Sequence, residues 1–147
     1  DLIMLRIRRN LPQAVIEGLY VEKMCSPGLE VVIGMTRDPR FGPMLMFGVG
    51  GIFVEVMEDV AFHLAPITAE EATQMLRSTR SYQRLEARSE QSAVDTAGIA
   101  TALQRISQLA TDFPQIEELE IHPFIVGPFG SEPMAVDASL TLSRGAE

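Results

Sequence analysis

The apolar runs of this 147-residue chain are short and repeatedly cut by Gly and Pro. The longest, Pro43 to Val54, is broken at Gly48, Gly50 and Gly51, with Gly42 at its edge. No run of about 18 apolar residues is available for a membrane-spanning helix. From Leu2 to Val60 the pattern is instead that of strands and turns. Leu19-Tyr20-Val21 and Val31-Val32-Ile33 read as buried strands joined through Cys25-Ser26-Pro27-Gly28. Pro43–Phe47 and Ile52–Met57 read as a second pair, joined by Gly48-Val49-Gly50-Gly51. Ala61–Ala65 reads as a short strand ended by Pro66, and Leu2–Asn10 as the tail of a helix.

The middle of the chain changes period. Thr68 and Glu71 form a capping box, each side chain satisfying an orphan backbone N–H of the other. Ala72, Met75, Leu76 and Thr79 then share one face of a helix running to about Arg80. Arg84–Ala93 is a polar loop. Asp95 caps a second helix, in which Ile99, Leu103, Ile106 and Ala110 recur at helical spacing before Phe113-Pro114 stops it. Strands return at Glu118–Ile121 and Phe124–Val126, which flank His122-Pro123, and at Met134–Leu140 after a turn at Gly127–Gly130. Strands, two main helices, then strands define an α+β fold with a mainly antiparallel sheet.

Hydrophobic residues make up 46% of the chain and charged residues 22%, enough apolar material for one core and too much for disorder. Twelve basic against twenty acidic residues leave a net charge of −8, which opposes nucleic-acid backbones and anionic membranes. It leaves nucleotides open, because one phosphate site needs only local donors or a metal. Cys25 is the single cysteine, so no intrachain disulfide forms and a reducing, cytoplasmic setting is expected. Asp1–Asn10 is too short and wrongly ordered for a signal peptide. The chain starts at Asp1, not Met, and is expected to be a piece of a longer polypeptide.

The sequence holds no Gly-rich loop followed by Lys-Ser or Lys-Thr, hence no P-loop. Gly48-Val49-Gly50-Gly51 reads either as a hairpin turn or as a loop whose backbone approaches a ligand closely. Cys25 has no histidine near it in sequence and reads as buried or incidental. His63 reads as an edge or surface residue, and Glu70-Glu71 and Glu117-Glu118 as solvated helix ends. Arg77, Arg80, Arg84 and Arg88 form a stripe, either solvated or available to a partner. One constellation stands apart: Glu120 and His122, two apart on a strand, share a face. A later strand returns Asp137 within Ala135-Val136-Asp137-Ala138. A carboxylate in an apolar strand needs a partner or a ligand. Mg²⁺ held by oxygens of adjacent strands and a cross-strand hydrogen-bonded pair both satisfy that need.

Glu30-Val31-Val32-Ile33-Gly34-Met35-Thr36-Arg37-Asp38-Pro39-Arg40-Phe41-Gly42-Pro43, followed by Met46-Phe47-Gly48-Val49-Gly50-Gly51-Ile52-Phe53-Val54-Glu55, strongly resembles the β-subunit-type ATP-grasp region of NDP-forming (ADP-forming) acyl-CoA synthetases. Asp112-Phe113-Pro114 with Glu118-Leu119-Glu120-Ile121-His122-Pro123 resembles a later block of the same family. The likeness runs in order along essentially the whole chain.

The resemblance implies that residues 1–147 are the second, C-terminal subdomain of an ATP-grasp domain, which holds its nucleotide between two α+β subdomains. It implies the reaction acyl-CoA + ADP + phosphate ⇌ carboxylate + CoA + ATP, through a phosphohistidine. Glu22 would stand where the hinge meets adenine, with Lys23 and Met24 supplying hinge backbone groups and Glu30 lying near the ribose. Gly50 and Gly51 would face the nucleotide and the phosphohistidine loop, and Asp137 would bind Mg²⁺. His122 departs from the asparagine of many members, whose side-chain oxygen binds Mg²⁺. Glu120 and Asp137 remain metal candidates beside it, while His122 is either a ligand or a strand-corner hydrogen-bonder. The Ile-His-Pro version resembles a branch fused to an acetyltransferase that modifies protein lysines. That gives an alternative, a regulatory domain without nucleotide chemistry; a third reading is a domain kept only for subunit contacts. The first ATP-grasp subdomain, the CoA-binding domain and the phosphohistidine segment have no counterpart here. They are expected as partners in an oligomeric parent protein, and the fragment alone is not expected to be active.

Overall fold

The computed structural model describes residues 2–49, 59–82 and 94–143. Its elements run α1 (Leu2–Asn10), β1 (Leu29–Asp38), β2 (Gly42–Val49), β3 (Val60–Leu64), α2 (Ala69–Arg77), α3 (Thr96–Asp112), β4 (Ile116–Val126), β5 (Met134–Ala135) and β6 (Ala138–Leu142). The strands form one sheet in the order β3-β2-β1-β4-β5, with β6 also on β4. All pairings are antiparallel, so the architecture is the α+β one expected.

Local chemistry accounts for the elements. β-branched Val31, Val32 and Ile33 suit the central strand β1, which is paired on both sides. The chain turns from β1 into β2 because Asp38 Oδ1 accepts the N–H groups of Arg40 (2.7 Å) and Phe41 (2.9 Å). Gly42 then takes a φ of 86°, a conformation that side chains disfavour. The Thr68–Glu71 capping box forms: Thr68 Oγ1 accepts from Glu71 N–H at 3.2 Å, and Glu71 Oε2 accepts from Thr68 N–H at 2.8 Å. Asp95 caps α3 by accepting from Gly98 N–H.

Helices α2 and α3 cover one face of the sheet. Val31, Ile33 and Met35 of β1 and Leu45 and Phe47 of β2 point into that core. They meet Ala72, Met75 and Leu76 of α2 and Ile99, Leu103, Ile106 and Ala110 of α3. The periodic residues of both expected helices are therefore the buried ones. Ser107 Oγ accepts the buried Ile67 N–H at 2.9 Å, tying the start of α2 to the middle of α3.

Several boundaries differ from the sequence reading. Leu19-Tyr20-Val21 is irregular chain without a ladder partner among the described residues, and Tyr20 and Val21 are 89% and 88% exposed. β2 continues through Gly48 and Val49, so these are strand residues and not a turn. A Cβ on Gly48 would lie 3.1 Å from Cγ1 of both Val32 and Val60, neighbours that close over the glycine. Gly50, Gly51, Ile52–Met57, Arg84 and Arg88 lie outside the described residues. α2 ends at Arg77, and a new turn starts at Arg80, where Asp59 accepts the N–H groups of Arg80 (2.8 Å) and Ser81 (2.6 Å). Glu117 and Glu118 belong to β4 and not to a helix end. The Met134–Leu140 segment is broken at Val136-Asp137 into β5 and β6. α1 is a helix as expected, with none of its residues buried.

Candidate functional site

Among the described residues, no helix packs on the face of the sheet opposite α2 and α3, although Val32 on it is buried. Ser139, Glu120, Gly34, Met46 and Phe62 follow one another across β6, β4, β1, β2 and β3. The next rung is Thr141, Glu118, Thr36, Met44 and Leu64. Apart from Met44 and Leu64, these residues line a groove of about 250 Å³. Met46 and Phe62 make one side apolar, while carboxylates and hydroxyls from β4 and β6 make the other polar. Gly34 leaves the middle of the floor unfilled, since a Cβ there would lie 3.2 Å from Met46 Cε.

β4 carries a bulge that sets what faces this groove. Val31 pairs with Phe124 and Ile33 with Ile121, so His122 and Pro123 together oppose Val32. Leu119 faces the core before the bulge, and Phe124 and Val126 face it afterwards. Without the extra residue the alternation would put Phe124 and Val126 on the open side. Across the other edge of β4, Ile121 pairs with Ala138 and Phe124 with Ala135. This common register sets Asp137 opposite His122, and His122 N–H donates to the Asp137 carbonyl at 3.1 Å. Opposed residues on such a pair hold their Cβ atoms about 5 Å apart on one face. Glu120 is the neighbour along the strand, its Oε1 lying 3.8 Å from His122 Nδ1.

A cleft of about 490 Å³ opens further along β4. Lys23, Met24 and Cys25 line one wall, and Ile125, Met134 and Ala135 belong to the other. Just before β1 the chain lies so close to β4 at Gly28 that a Cβ there would meet the Val126 carbonyl oxygen at 2.7 Å. Glu30 pairs with Ile125 and is exposed beside this cleft. Cleft, His122–Asp137 pair and groove thus lie in sequence along β4. Ile125 is three residues from His122, about 10 Å along a strand.

The structure therefore gathers Lys23, Met24, Glu30, Glu120, His122 and Asp137 along one side of the sheet. Glu22 lies on the exposed irregular segment before β1 and not at a strand end, outside the walls of the cleft. Gly50 and Gly51 are outside the described residues. Glu118, Ser139, Thr141, Met46 and Phe62 join the face without having been singled out in the sequence. The strand register unites them, and no spacing motif encodes it. Cys25 is a half-buried cleft residue. His63 sits on the edge strand β3, its Nδ1 2.8 Å from the Leu64 carbonyl oxygen.

The donor set beside the groove is two carboxylates and one imidazole. Carboxylate oxygens fit Mg²⁺, which often takes one or two from the protein and the rest from water and phosphates. The imidazole fits that hard ion poorly. Among the described residues no three His, Cys, Asp or Glu side chains converge as a metal cage. The arrangement suits a cation only when a ligand brings further oxygens.

Among the described residues, an antiparallel sheet carries its helices on one face and a cleft and a polar groove along one strand on the other. The chain belongs to the ATP-grasp family, whose ATP-grasp domain model matches residues 1–142. It is 41% identical over 142 residues to acetate–CoA ligase (ADP-forming) I of Archaeoglobus fulgidus, covering 97% of this chain and 20% of that one. It is 39% identical to acetate–CoA ligase (ADP-forming) I subunit beta of Pyrococcus furiosus, covering 95% of this chain and 60% of the subunit. Among solved structures it resembles the dinucleotide-forming acetyl-coenzyme A synthetase 1 of Ca. Korarchaeum cryptofilum in complex with coenzyme A, Ca-AMPCP and HgCl⁺. That likeness has a TM-score of 0.78 at 37% identity, over 95% of this chain and 60% of the other. The same synthetase has been solved with Mg-AMPPCP and a phosphohistidine segment pointing towards the nucleotide binding site. The chain thus spans between a fifth and three-fifths of the length of these three relatives. Among the described residues, no helix is long and apolar enough to cross a membrane.

Proposed function

We propose that residues 1–147 form the C-terminal, nucleotide-binding subdomain of an ATP-grasp domain in an ADP-forming acyl-CoA synthetase. The reaction is acyl-CoA + ADP + phosphate ⇌ carboxylate + CoA + ATP. The observation carrying this reading is the identity of about 40% to ADP-forming acetate–CoA ligases over nearly the whole chain. The open face supports it, with a cleft, a carboxylate pair and a polar groove aligned along one strand. The relatives reported above lend no support to the acetyltransferase alternative.

In this reading the segment Glu22–Met24 presents backbone groups to the base in the cleft beside Ile125, and Glu30 lies at the ribose. Glu120 and Asp137 would hold Mg²⁺ jointly with phosphate oxygens. When bound, the cation neutralises phosphate charge. The protein side chains bind and orient, while the phosphohistidine and the CoA site belong to other domains or subunits of a cytoplasmic, oligomeric parent. Positioning and electrostatic stabilisation are what phosphoryl transfer chiefly asks of a protein.

The test is ATP formation from acyl-CoA, ADP and phosphate by the full-length protein and its Asp137→Ala variant. The wild type is expected to turn over, and the variant to lose phosphoryl transfer while keeping its thermal midpoint. Unchanged turnover in the variant would remove Asp137 from the site. Absence of ATP formation by the wild type with every acyl-CoA tried would overturn the synthetase reading.

A further inference from the structure

We propose that the N-terminal arm, Leu2 to Glu22, is the surface on which a second half-domain of the parent polypeptide docks, with α1 packed against that body and Leu19-Tyr20-Val21 added to the edge of its sheet. The inference rests on the reading above in taking the parent to be longer than this chain, and it does not depend on the reaction. More than half of the exposed large apolar residues among the described ones lie between Leu2 and Met24. Apolar residues exposed singly are ordinary, whereas a contiguous run of them marks an interaction surface. α1 has nine residues and buries none of them, and helices shorter than about 12 residues are marginal without packing. The Leu11 N–H donates to the Ile7 carbonyl at 2.7 Å and continues the helical turn, so Ile3, Ile7 and Leu11 stand on one stripe. Further along, Val15 is 91% exposed, and Leu19-Tyr20-Val21 has the composition of a strand with no ladder partner among the described residues. A segment of this kind is completed by adding it to another sheet's edge.

Length, tethering and position identify the occupant. The Pyrococcus furiosus β subunit is matched over 60% of its length, which leaves two-fifths of such a subunit to fold beside this chain. A body in the same polypeptide faces the arm at an effective concentration on the order of millimolar, which a separate copy does not reach. Lys23, Met24 and Cys25 follow the arm directly and line the cleft of about 490 Å³. A body seated on the arm therefore stands beside that cleft and narrows it. Charge states what the receiving surface carries. α1 bears Arg6, Arg8 and Arg9 and no carboxylate, in a chain of net charge −8, so the surface that receives it is acidic around an apolar centre.

The experiment is hydrogen exchange of the full-length protein, read by mass spectrometry over residues 2–22 at a low and a high protein concentration. In the wild type these amides are expected to exchange about a hundredfold or more slowly than in an unstructured chain, as a docked element does. The protection is expected to be the same at both concentrations. Ile7→Asp and Val21→Asp, each placing a charge in the proposed contact, are expected to remove it while the amides of α3 keep theirs. Exchange of the arm at unstructured rates would overturn the docking, as would protection that survives both substitutions. Protection that fades on dilution would assign the arm to a second copy and overturn the tethered occupant. ATP formation by a protein with an unprotected arm would overturn this inference alone. A protected arm without ATP formation would support the docking and overturn only the synthetase reading.

Discussion

Replacing Arg37 by Ala should loosen the join between α3 and β4. Arg37 stands near the end of β1 and donates from Nε to the Ile116 carbonyl at 2.9 Å and from a terminal nitrogen to the Ala110 carbonyl at 2.7 Å. The second bond is forced by the sequence. The helical partner of the Ala110 carbonyl would be the N–H of residue 114, which is a proline and has none. Ala110 is 1% exposed, so water is a poor substitute. A hydrogen bond to a charged group contributes about 1.5–3 kcal/mol. The arginine is only partly buried, so the low end applies, and the two bonds together should stabilise the join by about 2–4 kcal/mol. Hydrogen exchange of the Phe113 and Ile116 amides, which close the turn between α3 and β4, reads this directly. In the full-length protein their exchange should quicken by roughly thirty- to several-hundredfold, at tenfold per 1.4 kcal/mol. Arg37→Lys, which keeps a charge near the helix C-terminus and one donor, should lose about half as much free energy. Exchange in Arg37→Ala within threefold of wild type would refute the reasoning, as would a lysine variant no better than alanine.

Gly28→Ala should push the 23–27 segment off β4, because the new methyl would meet backbone at 2.7 Å and 2.9 Å. Overpacking of this kind costs about 1–3 kcal/mol, and calorimetry should show weaker ADP binding through the displaced cleft wall. Asp59 should give the turn at Arg80–Ser81 an acid-sensitive anchor. Burial alone would raise its carboxyl pKa, but the Ser81 hydroxyl, the Arg80 and Ser81 N–H groups and the Arg80 charge outweigh that and hold it below its ordinary 3.8. A depressed folded-state pKa means that the stabilisation is complete above the unfolded value and is lost as pH falls below about 4. Exchange of the Ser81 amide should therefore quicken in that acid window, and Asp59→Asn should remove the extra pH dependence.

The helices were legible because their signals are local. The Thr68–Glu71 box and the Asp95 cap operate within four residues, and the 3.6-residue period of Ile99, Leu103, Ile106 and Ala110 states which side is buried. The strand errors share an opposite cause. Leu19-Tyr20-Val21 has strand composition, but a strand needs a neighbour to complete its ladder, and none of the described residues supplies one. Gly48 resembles a turn residue in sequence. In the sheet it is the gap into which Val32 and Val60 close, a fact set by strands sixteen and twelve residues away.

The site was half legible for the same reason. Glu120 and His122 belong together by simple alternation, and their facing of Asp137 follows once β4 and β6 are known to pair. That Glu120 also shares a rung with Ser139, Gly34, Met46 and Phe62 depends on register across five strands. The bulge at His122-Pro123 shows why such register is guarded. It lets Leu119, Phe124 and Val126 all reach the core although their spacing breaks strict alternation. Glu118 and Glu120 remain on the open side before the bulge, and Ile125 beside the cleft after it. Removing one residue there would exchange buried and open positions along half of β4, so the same irregularity maintains both the core and the alignment of the candidate site.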